Sequence, residues 1–398
     1  VAKLLEHLWA RYRGEPTPRL GGGGIVFLVF FILFASAFTA TANWDLSRLW
    51  GDWNFDNDFD FFSSRYEFTD NFSQPLAGGT QIKILCNRGD ISVSASDDNQ
   101  AHAVVHKTVR TNSQENANRL NDATHPQFTQ QGGIWLLDLT GGDFDRVQFN
   151  LDLQLPRQIT VALATNRGNL NVSQREGNAD LSTRWGNASV EQLQGNASFH
   201  LRGGSVTAKN VTGNVQIEGV LHDGSISDVT GTLDFDVRYF TGDVQLSHLG
   251  QRFHLKSLTI DLQSAKLDGE LNMRRGDLRA NSLSGPVKLN THSNEVHLED
   301  VSGQVEVENR NGIVKLRAKA PLGNIDINNV NSGIELDLPQ NASFHLDAES
   351  RDGNIDVGDF AVNVDNSRRD ASAHGAVGKG GPDVHLRTSR GSIQIRKE

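Results

Sequence analysis

From about residue 160 to the C-terminus, apolar and polar residues alternate in runs of about five, cut by short turns. Examples are Val215 and Ile217; Leu233, Phe235 and Val237; Val244 and Leu246; Val287 and Leu289; Val296 and Leu298; Val305 and Val307. Period two sends every second side chain to one face, so each run predicts a strand with one buried face. The interruptions hold Gly, Asn or Asp, which tolerate positive φ, as in Arg88-Gly89, Arg167-Gly168, Asp223-Gly224, Asn311-Gly312, Asp352-Gly353 and Arg390-Gly391. They also recur at a fixed distance. Leu193-Gln194-Gly195, Val211-Thr212-Gly213, Val229-Thr230-Gly231, Leu283-Ser284-Gly285 and Val301-Ser302-Gly303 are separated by steps of 18, 18, 54 and 18 residues. A second ladder, Gly186, Gly204, Gly224 and Gly242 and later Gly276, Asn294 and Gly312, runs half a period away. A short fixed period means one structural unit stacked on copies of itself.

Two architectures fit such turns. Antiparallel hairpins would use the same residues, but an 18-residue identity favours a solenoid in which residue i stacks on i+18 in a parallel ladder. The expected fold is therefore all-β: a right-handed parallel β-helix, since parallel crossovers favour that hand. Residues 160 to 398 hold roughly 13 such coils, about 60 Å at the usual strand spacing. Leucine-rich repeats lack their frame here, and propeller blades need longer units. A longer motif lies over the short one. Leu155-Pro156 through Asn166-Arg167-Gly168-Asn169-Leu170-Asn171-Val172 recurs from Leu338-Pro339 to Asp352-Gly353-Asn354-Ile355-Asp356-Val357, and again from Thr80 to Asn87-Arg88-Gly89-Asp90-Ile91-Ser92-Val93. Asn-Ala-Ser-Phe-His-Leu occurs at 196–201 and 341–346, so internal duplication accounts for the chain's growth.

Two stretches depart from alternation. Residues 111–126 suit a short helix with Ser113 as N-cap, placed over one end of the solenoid to protect strand edges. Residues 361–381 are polar and Gly-rich and read as a mobile loop.

The N-terminal region reads differently. Ile25 to Phe38 is IVFLVFFILFASAF, inside an uncharged stretch from Leu20 to Trp44, roughly the 20 residues a spanning helix needs. Lys3, Arg11, Arg13 and Arg19 precede it, and Asp45, Arg48, Asp52, Asp56, Asp58 and Asp60 follow. The positive-inside bias puts residues 1–20 in the cytoplasm, an uncleaved signal anchor at 21–43 in the membrane, and the rest outside. Ala40-Thr41-Ala42 also fits a signal-peptide cleavage site, although the charged region before the apolar run is long for one. Residues 44–75, rich in aromatics and Asp, suit a linker along the outer interface. Within it Asp56, Asp58, Asp60 and Glu67 mimic a calcium loop, but Phe61 stands where such a loop requires Gly, so a solvated acidic linker is the expectation.

Over residues 76–398, the repeated strand–turn unit (alternation, then Asn/Ser-x-Gly-Asp/Asn-Ile/Leu-x-Val) resembles the bacterial putative-adhesin family, domains of unknown function with a β-helix-like fold. The resemblance implies an N-terminal membrane segment ahead of the repeats. It implies no established reaction and supplies no catalytic residues.

Composition narrows the chemistry further. The net charge of −10 is spread along the chain, which argues against nucleic acid as a partner. Cys86 lies in the apolar run Ile82–Cys86 and reads as a buried structural thiol; with no second Cys there is no intrachain disulfide. The tripeptides of pectinase-like β-helix hydrolases, Asn-Thr-Asp, Gly-His-Gly and Arg-Ile-Lys, do not occur, and Asp234/Asp236 and Asp326/Asp356 have no acid–base spacing. His200 and His345, equivalent in the two hexapeptide copies, should point outward, with no zinc-like spacing around them. No nucleophile elbow, HExxH or phosphate loop is present, and Gly203-Gly204 and Gly380-Gly381 read as turns. No catalytic, cofactor or metal residue is therefore expected. The expected function is a membrane-anchored, non-enzymatic envelope protein that presents a binding or scaffolding surface to carbohydrate or surface proteins. The alternatives are a carbohydrate-active β-helix enzyme and an envelope stress or signalling component.

Overall fold

The computed structural model describes residues 64–76, 79–141, 146–274, 276–292, 295–367 and 369–398. The expected anchor at 21–43 and most of the linker lie outside these residues. No helix among the described residues is long and apolar enough to cross a membrane.

The alternating runs form two parallel ladders. On the first face Thr160–Arg167, Ala179–Trp185, Ala197–Leu201, Val215–Leu221, Leu233–Phe240 and Phe253–Lys256 lie side by side. On the second face lie Leu170–Arg175, Ala188–Leu193, Val206–Val211, Gly224–Val229 and Asp243–Leu249. The register is the sequence period made physical: Val161 faces Ala179, which faces Ala197, Val215 and Leu233 in turn. Inward columns are continuous. Leu163, Leu181, Phe199, Ile217, Phe235 and Leu255 fill one, and Val172, Val190, Ala208, Ile226 and Leu246 fill another, all buried. Burying each large side chain of this kind stabilises by about 1.5–3 kcal/mol.

Glycine makes the first corner of each coil possible. A Cβ at Gly186 would sit 1.9 Å from the carbonyl oxygen of Gly168, and one at Gly204 1.9 Å from that of Gly186. Both have positive φ, which L side chains adopt at a cost. Asparagine ties the rungs together. Asn169 Oδ1 accepts the Asn187 amide N–H at 3.0 Å, and Asn187 Oδ1 accepts that of Ser205 at 2.8 Å. At the opposite corner Asn178, Asn196 and Asn214 accept from the amides of Asn196, Asn214 and Thr232, each at 2.9 Å. These side chains satisfy turn amides that no strand can reach.

The second glycine ladder is not uniform. Gly224 stands in the inward column of the second face, not at a turn, where an added Cβ would lie 3.4 Å from the Phe235 ring. The missing side chain is the space that ring occupies. The corner position beside it belongs to Asp223, whose Oδ1 accepts the Asp243 amide N–H at 2.8 Å.

The coils have a third bend. Gln174, Gln192, Asn210, Asp228, His248, Ser282 and Asp300 all have φ between 48 and 57°. Each precedes an inward residue at the return corner, and the first four drop out of the ladder so that Arg175, Leu193, Val211 and Val229 turn inward. No glycine marks the positions.

The stack is also not wholly parallel, which corrects the expected fold. Ile260–Arg274 runs backwards across both faces. Its first part pairs antiparallel with Phe253–Lys256 and Leu283–Thr291, and its second with Asp243–Leu249 and Asp277–Asn281. After it the original direction resumes through Glu295–Asn309 and Ile313–Asn329, each crossing both faces. The 54-residue step between Gly231 and Gly285 therefore spans three layers, one of them reversed. Gly285 stacks on Ala265 of the reversed coil.

Chain order and spatial order part at both ends. Gln81–Arg88 lies between Ile134–Leu139 and Thr160–Arg167. At the other end the last coil, Asp383–Thr388 and Ile393–Lys397, is inserted between earlier strands. The helix Gln114–Ala123 starts at Ser113, whose Oγ accepts the Asn116 amide N–H at 3.2 Å. Its C-terminal carbonyls of Asn121 and Thr124 accept from the buried Lys107 ammonium, which also pairs with Asp70 at 2.8 Å. Phe72, Phe128 and Trp135 meet edge to face beside it. Ser64–Pro75, within the stretch read as linker, is a strand paired antiparallel with Gln100–Thr111. The stretch 361–381 is not a loop throughout: Asn363–Asp365 and Ala371–Val377 pair antiparallel, and the second strand is hydrogen-bonded to Phe344–Ser350.

Candidate functional site: an arginine and aromatic corner

The outward side chains decide what such a stack can do. On the first face Ser182, His200, Glu218, Asp236 and Lys256 form one outward column. Next to it, where each strand ends before the glycine corner, stand Arg184, Arg202 and Arg238, with Trp185 and Tyr239 beyond. The exposure of the two aromatics, 59% and 46%, is high for rings of their size. Trp185 is nevertheless held: a Cβ at Gly203 would contact its Cε3 and Cζ3 at 3.4 Å, so the indole lies over bare backbone.

Two adjoining depressions of about 710 and 930 Å³ follow this corner and share Leu201, Arg202, Glu218 and Gly219. Their depth has a local cause. Gly219 contributes no side chain, and the pairing of Val215–Leu221 with Leu233–Phe240 slips at Gly219/Val220, which displaces Arg238 from the ladder. The result is an open groove across several rungs.

The carboxylates of the groove are engaged. Glu218 accepts from Gln216 Nε2 at 2.7 Å and lies 3.5 Å from His200, which also approaches Asp180. Asp236 lies 3.8 Å from Lys256 Nζ. Among the described residues, no carboxylate lies within ion-pair distance of Arg184, Arg202 or Arg238.

The carboxylate pairs weighed in the sequence form no catalytic dyad. Asp234 and Asp236 sit on one strand, tied to His254 at 3.8 Å and to Lys256. Asp326 faces His385 on the first face, whereas Asp356 pairs with Gln394 on the second, so the fold separates them. His200 and His345 are exposed, as their place between inward residues requires. His374 and His385 share Asp347 at 2.8 and 3.3 Å, but among the described residues no group of three or more ligand side chains has metal-holding geometry.

Two buried polar groups have structural explanations. Cys86 is buried, and desolvation pushes its thiol up to about 11, which keeps it neutral and a poor nucleophile. Arg175 occupies the inward corner column that Leu193, Val211 and Val229 continue. Its guanidinium donates to the carbonyls of Leu155, Pro156 and Ile159 at 2.6–3.0 Å. Burial, with Arg157 nearby, lowers it to about 10, so it stays charged at neutral pH and donates to several carbonyls of this buried corner.

A family model described as Toastrack DUF4097 matches residues 79–396. The chain belongs to that family. The Toastrack match takes in the groove and both ladders, in line with the resemblance drawn from the strand–turn unit. Among solved structures, the chain is similar to a putative cell adhesion protein from Clostridium sporogenes at 9% identity, covering 84% of this chain and 100% of that one, with a TM-score of 0.17. It is also similar to a putative adhesin from Bacteroides fragilis at 11% identity, covering 84% and 98%, with a TM-score of 0.20. A putative lipid binding protein from Parabacteroides distasonis is 12% identical, covering 83% and 96%, with a TM-score of 0.20. At such TM-scores the likenesses carry no argument of their own. No curated protein matches.

Proposed function

We propose that this Toastrack chain is a non-enzymatic cell-envelope protein that displays its solenoid as a binding surface outside the cytoplasmic membrane, held there by residues 21–43. The observation that carries the binding role is the first-half corner, where Arg184, Arg202 and Arg238 line an open groove and the exposed Trp185 and Tyr239 follow Arg184 and Arg238 at the strand ends. Aromatic and arginine side chains dominate recognition surfaces because they offer large, stiff contact area with a polar handle. The carboxylates near the groove are held in pairs, which favours binding over acid–base chemistry. The anchor rests on the uncharged stretch from Leu20 to Trp44 and the basic residues before it.

Protease treatment of intact cells expressing the full chain tests the display. Fragments from beyond residue 43 should be released while a tag at the N-terminus survives; complete protection of the repeats contradicts the reading. Beads carrying the purified full chain test the binding role. They should retain cell-surface material saturably, with retention reduced in Trp185→Ala/Tyr239→Ala. Retention of nothing, or release of shortened polysaccharide, overturns it.

A further inference from the structure

The first-half corner has a chemistry more specific than a general binding surface. We propose that its groove binds an extended anionic polysaccharide, with Arg184, Arg202 and Arg238 taking the carboxylate or sulfate groups and Trp185 and Tyr239 stacking on sugar rings. This rests on the binding role proposed above and names its ligand class.

Charge is the first argument. The chain carries a net −10, and several outward cations elsewhere are neutralised from the next rung: Lys288 by Glu306 at 2.7 Å, Arg279 by Glu295 at 3.2 Å, Lys315 by Glu335 at 3.4 Å and Arg317 by Glu299 at 2.8 Å. Arg184, Arg202 and Arg238 have no such partner among the described residues. A planar guanidinium is the side chain best suited to a bidentate hold on carboxylate or sulfate.

Spacing is the second. Arg184 and Arg202 occupy successive rungs, ~4.8 Å apart at ordinary strand spacing, and Arg238 lies two rungs on. A row of this kind, within two depressions that share Arg202, matches charges repeated along a polymer better than a single small anion.

The third is what lies between the cations. Glu218 and Asp236 line the same groove and are acceptors for hydroxyl donors, which sugars carry and a DNA backbone lacks. The indole over Gly203 keeps its outer face open for a pyranose ring, whose axial C–H groups pack on aromatic faces.

The test uses the full chain in detergent micelles, immobilised, and four probes: alginate for carboxylate, heparin for sulfate, neutral dextran, and duplex DNA of similar length. Saturable binding to alginate or heparin, with weak binding to dextran and DNA, is expected; which polymer binds better identifies the anionic group. Arg184→Ser/Arg202→Ser/Arg238→Ser should weaken binding at least tenfold and flatten its salt dependence. Arg279→Ser/Lys288→Ser/Arg317→Ser, which removes as many charges, should change it less than twofold. Arg202→Ser alone should give an intermediate loss, with an unchanged melting curve showing that the fold is intact. Equal losses in both triple variants, or DNA binding as tight as the polysaccharides, overturns the assignment. If neither polysaccharide binds while the beads above still retain surface material, the groove's ligand class is wrong and the binding role stands. If both fail, the binding role falls too.

Discussion

The two halves of the solenoid, on either side of the reversed strand Ile260–Arg274, are built from coils of similar length and differ in where they leave outward arginines unpaired beside aromatics. In the second half, acid and base pair from rung to rung at several places, as in Lys288 over Glu306 and Arg317 over Glu299. In the first half, Arg184, Arg202 and Arg238 stand without carboxylates beside exposed aromatics. The glycine columns differ as well. In one column, a Cβ at Gly213 would meet the Gly195 oxygen at 2.3 Å, whereas one at Gly303 would meet that of Gly285 at 3.0 Å. Inward positions are constrained by stacking and stay similar through both halves. Outward positions are free of that constraint, and there the halves diverge.

The comparison can be broken first in the core. Phe235→Ala removes a fully buried ring that also fills the space over Gly224, and should cost about 4 kcal/mol, read as a lowered urea midpoint. Gly186→Ala combines a backbone clash with positive φ and should cost about 3 kcal/mol. Gly303→Ala, at φ 92° with more room, should cost only about 1–2 kcal/mol. Equal losses at the two glycines would erase the difference between the corners.

Cys86 gives a smaller, pH-dependent effect. The native thiol holds its proton to about 11, above its ordinary value, so ionisation favours the unfolded chain and stability should fall as pH rises through that window. Cys86→Ala should lack this decline in midpoint, and native Cys86 should resist thiol reagents at pH 8. Least of all, Lys315→Ala in the self-paired half should change stability by only about 0.5 kcal/mol, because its partner Glu335 is partly solvated.

Much of this was legible in the sequence. Alternation located the strands, the 18-residue step fixed the register from Val161 to Leu233, and Ser113 marked the helix start, because each depends on residues near in sequence or on a strict repeat. Other features left weaker traces. The bend at Gln174, Gln192 and Asn210 uses no glycine, so only its recurrence every 18 residues could have revealed it. The reversed coil keeps period-two alternation and preserves the layer count between Gly231 and Gly285, so the sequence pattern is the same for either strand direction. The hairpin within 361–381 is short and pairs a strand already in the sheet, which polar composition concealed. The groove was hidden for another reason. Arg184, Arg202 and Arg238 are separated by 18 and 36 residues, and their lack of partners depends on which carboxylates the stack brings near.

One stack continues through a single backward coil, with Gln245 opposite Asn272 on the outer surface of the second face. Engineered cysteine pairs test it without any ligand, since residues paired across neighbouring strands have Cβ atoms about 4.5–5.5 Å apart, within reach of a disulfide. Under mild oxidation, Gln245→Cys/Asn272→Cys should form an intramolecular disulfide. Gln245→Cys/Gln263→Cys, the pair an uninterrupted 18-residue parallel stack would bring together, should not. A crosslink in the second pair and none in the first would contradict the account.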